Sequence, residues 1–163
     1  MKHIKIIIAF SCFLNVILIT NWIMTNNRID DTISRQAFKI HRDLVELESS
    51  ITYQSDHNWK EENLVLEKIE DVQEDINSLK TIGKDIGRLS RKQEEDLWNL
   101  YNYLLKFPEY SGFPNKTLST DERKLLEKLS KDLRQVGWGM NIGYSGGWES
   151  FSEKLNNLLR QDT

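Results

Sequence analysis

Acid–base chemistry needs two titratable groups held at different proton affinities. Metal chemistry needs several ligands converging on one point. The imidazoles are His3, His41 and His57; no two stand at metal-ligand spacing, and no Glu-x-x-His motif occurs. Carboxylates are plentiful over Glu61-Glu62, Glu67, Glu70-Asp71 and Glu74-Asp75. On a helix whose apolar stripe faces inward, most of them are expected to point to water. No serine or histidine sits in a recognisable nucleophile motif. The expectation is a non-enzymatic chain with no cofactor and no metal site.

Two stretches are candidates for binding. Gly137 to Trp148 is rich in glycine and carries Trp138, Tyr144 and Trp148. Its amides are suited to an anion at a helix start, or its rings to a sugar or cell-wall fragment. No strand precedes it and no Lys-Ser/Thr follows, so neither the dinucleotide fingerprint nor the phosphate loop is matched. The plainer reading is a connection whose aromatic rings plug the end of a helical bundle. The second stretch is Lys80, Lys84, Arg88 and Arg91, with Lys92 beside them, at spacings of three or four. On a helix persisting through Gly83 and Gly87 they would form one stripe facing an anionic surface. As a solvated face they would be neutralised by Asp85, Glu94, Glu95 and Asp96. Asn115-Lys116-Thr117 matches a glycosylation acceptor, which matters only in a eukaryotic secretory pathway.

The elements that carry these residues follow a charge-free run of nineteen residues, Ile6 to Met24. That is about the length a helix needs to cross a hydrocarbon core of roughly 30 Å. Lys2 and Lys5 precede it, and Trp22 lies near its far end. Neither a cleaved secretory signal nor a lipoprotein signal fits: Asn21 to Met24 is a poor peptidase site, and Phe10 is bulky before Cys12. The expectation is an uncleaved signal anchor: a tail at 1–5, a single-pass transmembrane helix at 6–24 and a helical domain at 28–163. Lys2 and Lys5 favour an extracytoplasmic C-terminal domain, although Arg28, Arg35 and Lys39 weaken the asymmetry. Asn15 inside the run is a candidate membrane-helix contact, its amide seeking a partner in lipid.

All 25 acidic residues lie beyond that run, against 20 of the 22 basic ones, leaving a net charge of −5 there. Such a domain is a poor nucleic-acid binder. The one cysteine, Cys12, lies within the run, so the domain has neither a disulfide nor a cysteine metal site. Usage rich in Ile, Asn and Lys and poor in Pro points to an AT-rich bacterial genome.

Beyond the run, Ile33, Ala37, Ile40, Leu44, Leu47 and Ile51 recur at spacings of four and three, the heptad of a packed helix. No Gly or Pro separates this helix from the run, and Asn26-Asn27 is the expected flexible point. Arg35, Lys39, Arg42, Asp43, Glu46 and Glu48 are expected on its other faces. Ser55 to Asn58 reads as a turn, with Asp56 or Asn58 capping a second helix that carries Val65, Ile69, Val72, Ile76 and Leu79. The register slips after Leu79, and Gly83 and Gly87 predict a break. A third helix from about Ser90 ends before Pro108. Ser119 and Glu122 form a capping box for a fourth, which Gly137 stops, and a fifth starts at Trp148. The loop at 141–144 has room for a short extended piece. The predicted fold is all-α: the anchor, then a four- or five-helix bundle with coiled-coil-like heptads. Its expected role is to present that bundle to a protein partner or to itself, with the Gly/Trp-rich loop as an alternative ligand site.

Overall fold

The computed structural model describes residues 2–110, 116–140 and 147–161, without the side chains of 2, 3 and 5–9. Tyr144, Asn115 and the extended piece expected at 141–144 therefore lie outside the described residues. The described residues form five helices: α1 Lys2–Asp56, α2 Asn63–Asp85, α3 Arg91–Leu104, α4 Thr120–Gln135 and α5 Gly147–Arg160. The residues divide into two compact units, Met1–Arg35 and Gln36–Thr163.

In the first unit the backbone stays helical through Asn26 and Asn27, so the flexible point expected there is absent. Among the described residues no helix is long and apolar enough to cross a membrane. This overturns the transmembrane anchor at 6–24, and with it the single-pass architecture, the bilayer partner and the cell-membrane, extracytoplasmic placement. The run also carries the polar residues Ser11, Asn15, Thr20 and Asn21. Two of the polar groups fold back on their own helix. The Asn15 amide donates to the Ser11 carbonyl at 2.8 Å, and the Thr20 hydroxyl to that of Val16 at 2.8 Å. The amide expected to reach a neighbouring membrane helix is thus used locally.

The second unit is held by a continuous apolar core. Ile40, Leu44, Leu47 and Ile51 of α1 are fully buried, as are Val72, Ile76 and Leu79 of α2 and Leu97, Leu100 and Leu104 of α3. Leu126 and Leu133 of α4 and Phe151 and Leu155 of α5 complete it. α2 packs on α3, and α3 on α5. The heptad positions read from the sequence are buried, except Ala37, which is half-buried. α1 also buries His41, Asp43, Glu48 and Gln54, which corrects the expectation that its charged residues cover open faces. A helix enclosed on several sides buries a wider arc than a two-position stripe.

The connections follow local chemistry. α2 starts at Asn63 and not near Asn58, because 57–62 forms a tight turn with Asn58 and Trp59 both at φ 56°. Asparagine tolerates that left-handed conformation, but tryptophan pays roughly 1–3 kcal/mol for it. Burial of the Trp59 ring offsets the strain, and Gln54 ties the turn by accepting from the amides of Trp59 (2.7 Å) and Glu61 (3.0 Å). The predicted break after α2 is present: Gly87 has φ +62°, and a side chain at Gly83 would collide with Leu89. Capping boxes open both α3 (Ser90 with Gln93) and α4 (Ser119 with Glu122). Gly137, at φ +94°, ends the turn after α4.

Candidate functional site

α3 buries Leu97, Leu100 and Leu104, so Trp98, Tyr101 and Leu105 fall on its other side. Trp98 remains 52% exposed, unusual for the largest apolar side chain. Its ring lies nearly parallel to that of Tyr101, 6.3 Å away with 14° between the planes. From α2, the Lys80 ammonium sits 4.5 Å from the centre of the Trp98 ring and 6.0 Å from that of Tyr101. Such a contact contributes about 0.5–1 kcal/mol when exposed, and here it also fixes a cation beside two aromatic rings. A groove of about 370 Å³ adjoins it, lined by Asn77, Lys80, Thr81, Lys84 and Glu94.

The basic residues picked out in the sequence are therefore divided. Lys80 and Lys84 belong to α2, Arg91 opens α3, and Arg88 lies in the break between them, its amide donating to the Gly83 carbonyl at 2.9 Å. The helix on which the four would form one stripe ends at Asp85. Lys80 and Lys84 line one groove, and Lys80 lies against the aromatic pair.

Trp138 is fully buried. Its Nε1–H donates to His41 Nδ1 at 2.8 Å, and its ring packs 5.7 Å from Phe151. Accepting that bond requires a neutral imidazole with a bare Nδ1. Burial, seconded by the charge of Lys154, lowers the His41 pKa to about 4 and keeps it so. Trp148 packs on Phe151 and donates through Nε1 to Asp96 Oδ2 at 3.1 Å; Asp96 also receives Lys92 at 3.2 Å. The two tryptophans thus sit on one phenylalanine and close the core between α3, α5 and the residues after α4.

Two buried polar groups went unread in the sequence. Glu48 is fully buried and completely engaged. Its Oε1 accepts from Thr52, Ser130 and Arg134, the last at 2.9 Å through Nε and 2.7 Å through Nη2, and its Oε2 accepts from the Met140 amide at 3.2 Å. It ties α1 to α4 and to the chain after α4. A groove of about 330 Å³ beside it is lined by Thr52, Ser55, Glu127, Lys131 and Arg134 among others, with its arginine already committed to Glu48. The second is a carboxyl pair between helices, Asp43 of α1 and Asp75 of α2, exposed by only 4% and 5%. Lys39 pairs with Asp75 Oδ1, and Arg42 reaches Asp43 at 3.3 Å. Burial first, then hydrogen bonding to Asp75, raises the Asp43 pKa to about 6. The available signal was adjacency: Asp43 precedes Leu44 and Glu48 follows Leu47, both at the margin of the buried stripe.

Among the described residues no group of three or more His, Cys, Asp or Glu is placed to hold a metal ion. The chain matches no protein-family model, no curated protein and no solved structure.

Proposed function

We propose that this chain is a non-enzymatic protein-interaction module that binds an acidic segment of a partner protein across α2 and α3. The observation that carries the reading is the half-exposed Trp98, parallel to Tyr101 and capped by the Lys80 ammonium. Tryptophan and tyrosine are among the residue types that dominate interface energetics. Lys84 and the polar groove add hydrogen-bond donors at the rim, where an acidic chain gains orientation and association rate. The buried carboxylates serve packing: Glu48 has its acceptors filled, and Asp43 and Asp75 are closed off from solvent.

The test is site-specific photo-crosslinking in cells that produce the protein, with the reactive residue at Leu105, 44% exposed on the same side of α3. A discrete adduct is expected, mapping to an Asp/Glu-rich surface and lost in both Trp98→Ala and the double charge reversal Lys80→Glu, Lys84→Glu. An adduct that persists in both variants contradicts the reading.

A further inference from the structure

Between Phe10 and Met24, ten large apolar side chains are each at least 40% exposed, from Ile17 at 40% to Trp22 at 68%. At on the order of 100 Å² apiece they present on the order of 1,000 Å² of apolar surface, against roughly 300–600 Å² for the largest patch of an ordinary monomer. A standard interface covers about 800 Å² per partner, and the four apolar members of one stripe, Phe10, Leu14, Ile17 and Met24, supply on the order of half of that. Water alone is a poor covering for such a surface.

Phe10, Leu14, Ile17, Asn21 and Met24 follow one another at spacings of four, three, four and three, one stripe of a paired helix. Its one polar member tells the occupants apart. Asn15 and Thr20 satisfy their side chains on carbonyls four residues back, whereas the Asn21 amide has no hydrogen-bond partner among the described residues. An apolar partner would bury that amide unmatched, at a cost of about 1–3 kcal/mol. A side-chain amide carries both donor and acceptor, so an identical amide across a two-fold axis satisfies it on both counts. Parallel, in-register pairing places Asn21 opposite its copy. Antiparallel pairing about Ile17 does not.

We propose that the apolar helix at 10–24 is covered by the same segment of a second copy of this chain, paired in parallel along Phe10, Leu14, Ile17, Asn21 and Met24. The Asn21 pair then sets the register, as a single polar residue in a heptad seam does. This association is independent of the α2–α3 surface.

Sedimentation equilibrium of the full chain in detergent-free buffer should give a dimer at micromolar concentration. Ile17→Glu should weaken it by roughly tenfold or more, because the carboxylate loses its hydration in the seam. Asn21→Leu should keep the chains associated while spreading the masses over several oligomers. With Cys12 replaced by Ser, Leu14→Cys should form a disulfide-linked dimer on mild oxidation, and Ile19→Cys, on the opposite side of the helix, should not. A wild-type monomer at high micromolar concentration, or equal crosslinking from both cysteine positions, overturns the proposal. So does a chain that remains monomeric in buffer and is recovered bound to phosphatidylglycerol vesicles, which would make a lipid surface the occupant.

Discussion

The helix at 10–24 and the bundle beyond Gln36 use the same apolar side chains and dispose of them in opposite ways. In the bundle, Leu44, Leu47, Ile51, Leu79 and Leu100 are fully buried. In the helix, Leu18 is 65% exposed and Ile19 57%. The pattern separates them. Bundle helices interrupt their apolar stripe with charge every turn, so each has an inside and an outside. The helix at 10–24 carries no charge to mark an outside, and its apolar side chains stay exposed within one chain. A chain can close the first kind of surface with its own helices. The second kind calls for another molecule.

The largest contrast should appear on truncating a leucine in each region. Leu44→Ala is expected to destabilise the bundle by about 2–5 kcal/mol in urea unfolding, through lost burial and the cavity left behind. Leu18→Ala should leave the same transition within about 0.5 kcal/mol, as exposed substitutions do. Equal effects would break the comparison.

A smaller effect sharpens what holds the bundle. The folded-state pKa of Asp43, about 6, lies above its ordinary value of 3.8, so protonation favours the folded chain. Its stabilising contribution is fully present below about 3.8 and is lost as pH rises through about 6. The groups facing it are Asp75 of α2 and Lys39 and Arg42 of α1. Glu122 acts in the opposite sense: Lys116, then Ser119, lowers its pKa to about 2, so its contribution is present above 4.5 and lost as pH falls through 2. His41 acts against Asp43 over the same window: burial lowers its pKa from 6.5 to about 4, so its contribution is present above 6.5 and is lost as pH falls towards 4. The Asp43 contribution is therefore read as a difference: between pH 7.5 and 5 the stability of wild type relative to Asp43→Asn should rise as pH is lowered. A wild-type profile unchanged by Asp43→Asn would remove the pair from the account.

The smallest effect concerns a helix end. Ser119→Ala should cost about 1 kcal/mol, since the hydroxyl accepts from the Glu122 amide at 3.3 Å and opens α4. An unchanged unfolding midpoint would show that the cap is supplied otherwise.

Features that depend on neighbours in the chain were legible in the sequence. The heptads of α1 and α2, the break at Gly83 and Gly87, the Ser119 capping box and the stop at Gly137 each follow from spacing or backbone preference. Features that depend on what packs opposite were not. Nothing local marks Asp43 and Glu48 as buried, because their partners Asp75 and Arg134 lie on other helices. The turn at Asn58 and Trp59 runs against local preference and is held by burial of the indole. Trp98 and Trp138 look alike in sequence, yet one lies open beside Lys80 and the other is buried against His41. The run at 6–24 was legible as an apolar helix from its composition and length, but no helix of the described residues is long and apolar enough to cross a membrane.

The measurement closest to the central claim is hydrogen–deuterium exchange of the full chain, followed by mass spectrometry across a dilution series in detergent-free buffer. Peptides from the bundle should keep the same protection at every concentration, since their apolar surface is covered within one chain. Peptides spanning 10–24 should be protected at high concentration and exchange faster on dilution, as a covering supplied by a second copy is lost by mass action. Protection at 10–24 that does not change with dilution would contradict the account.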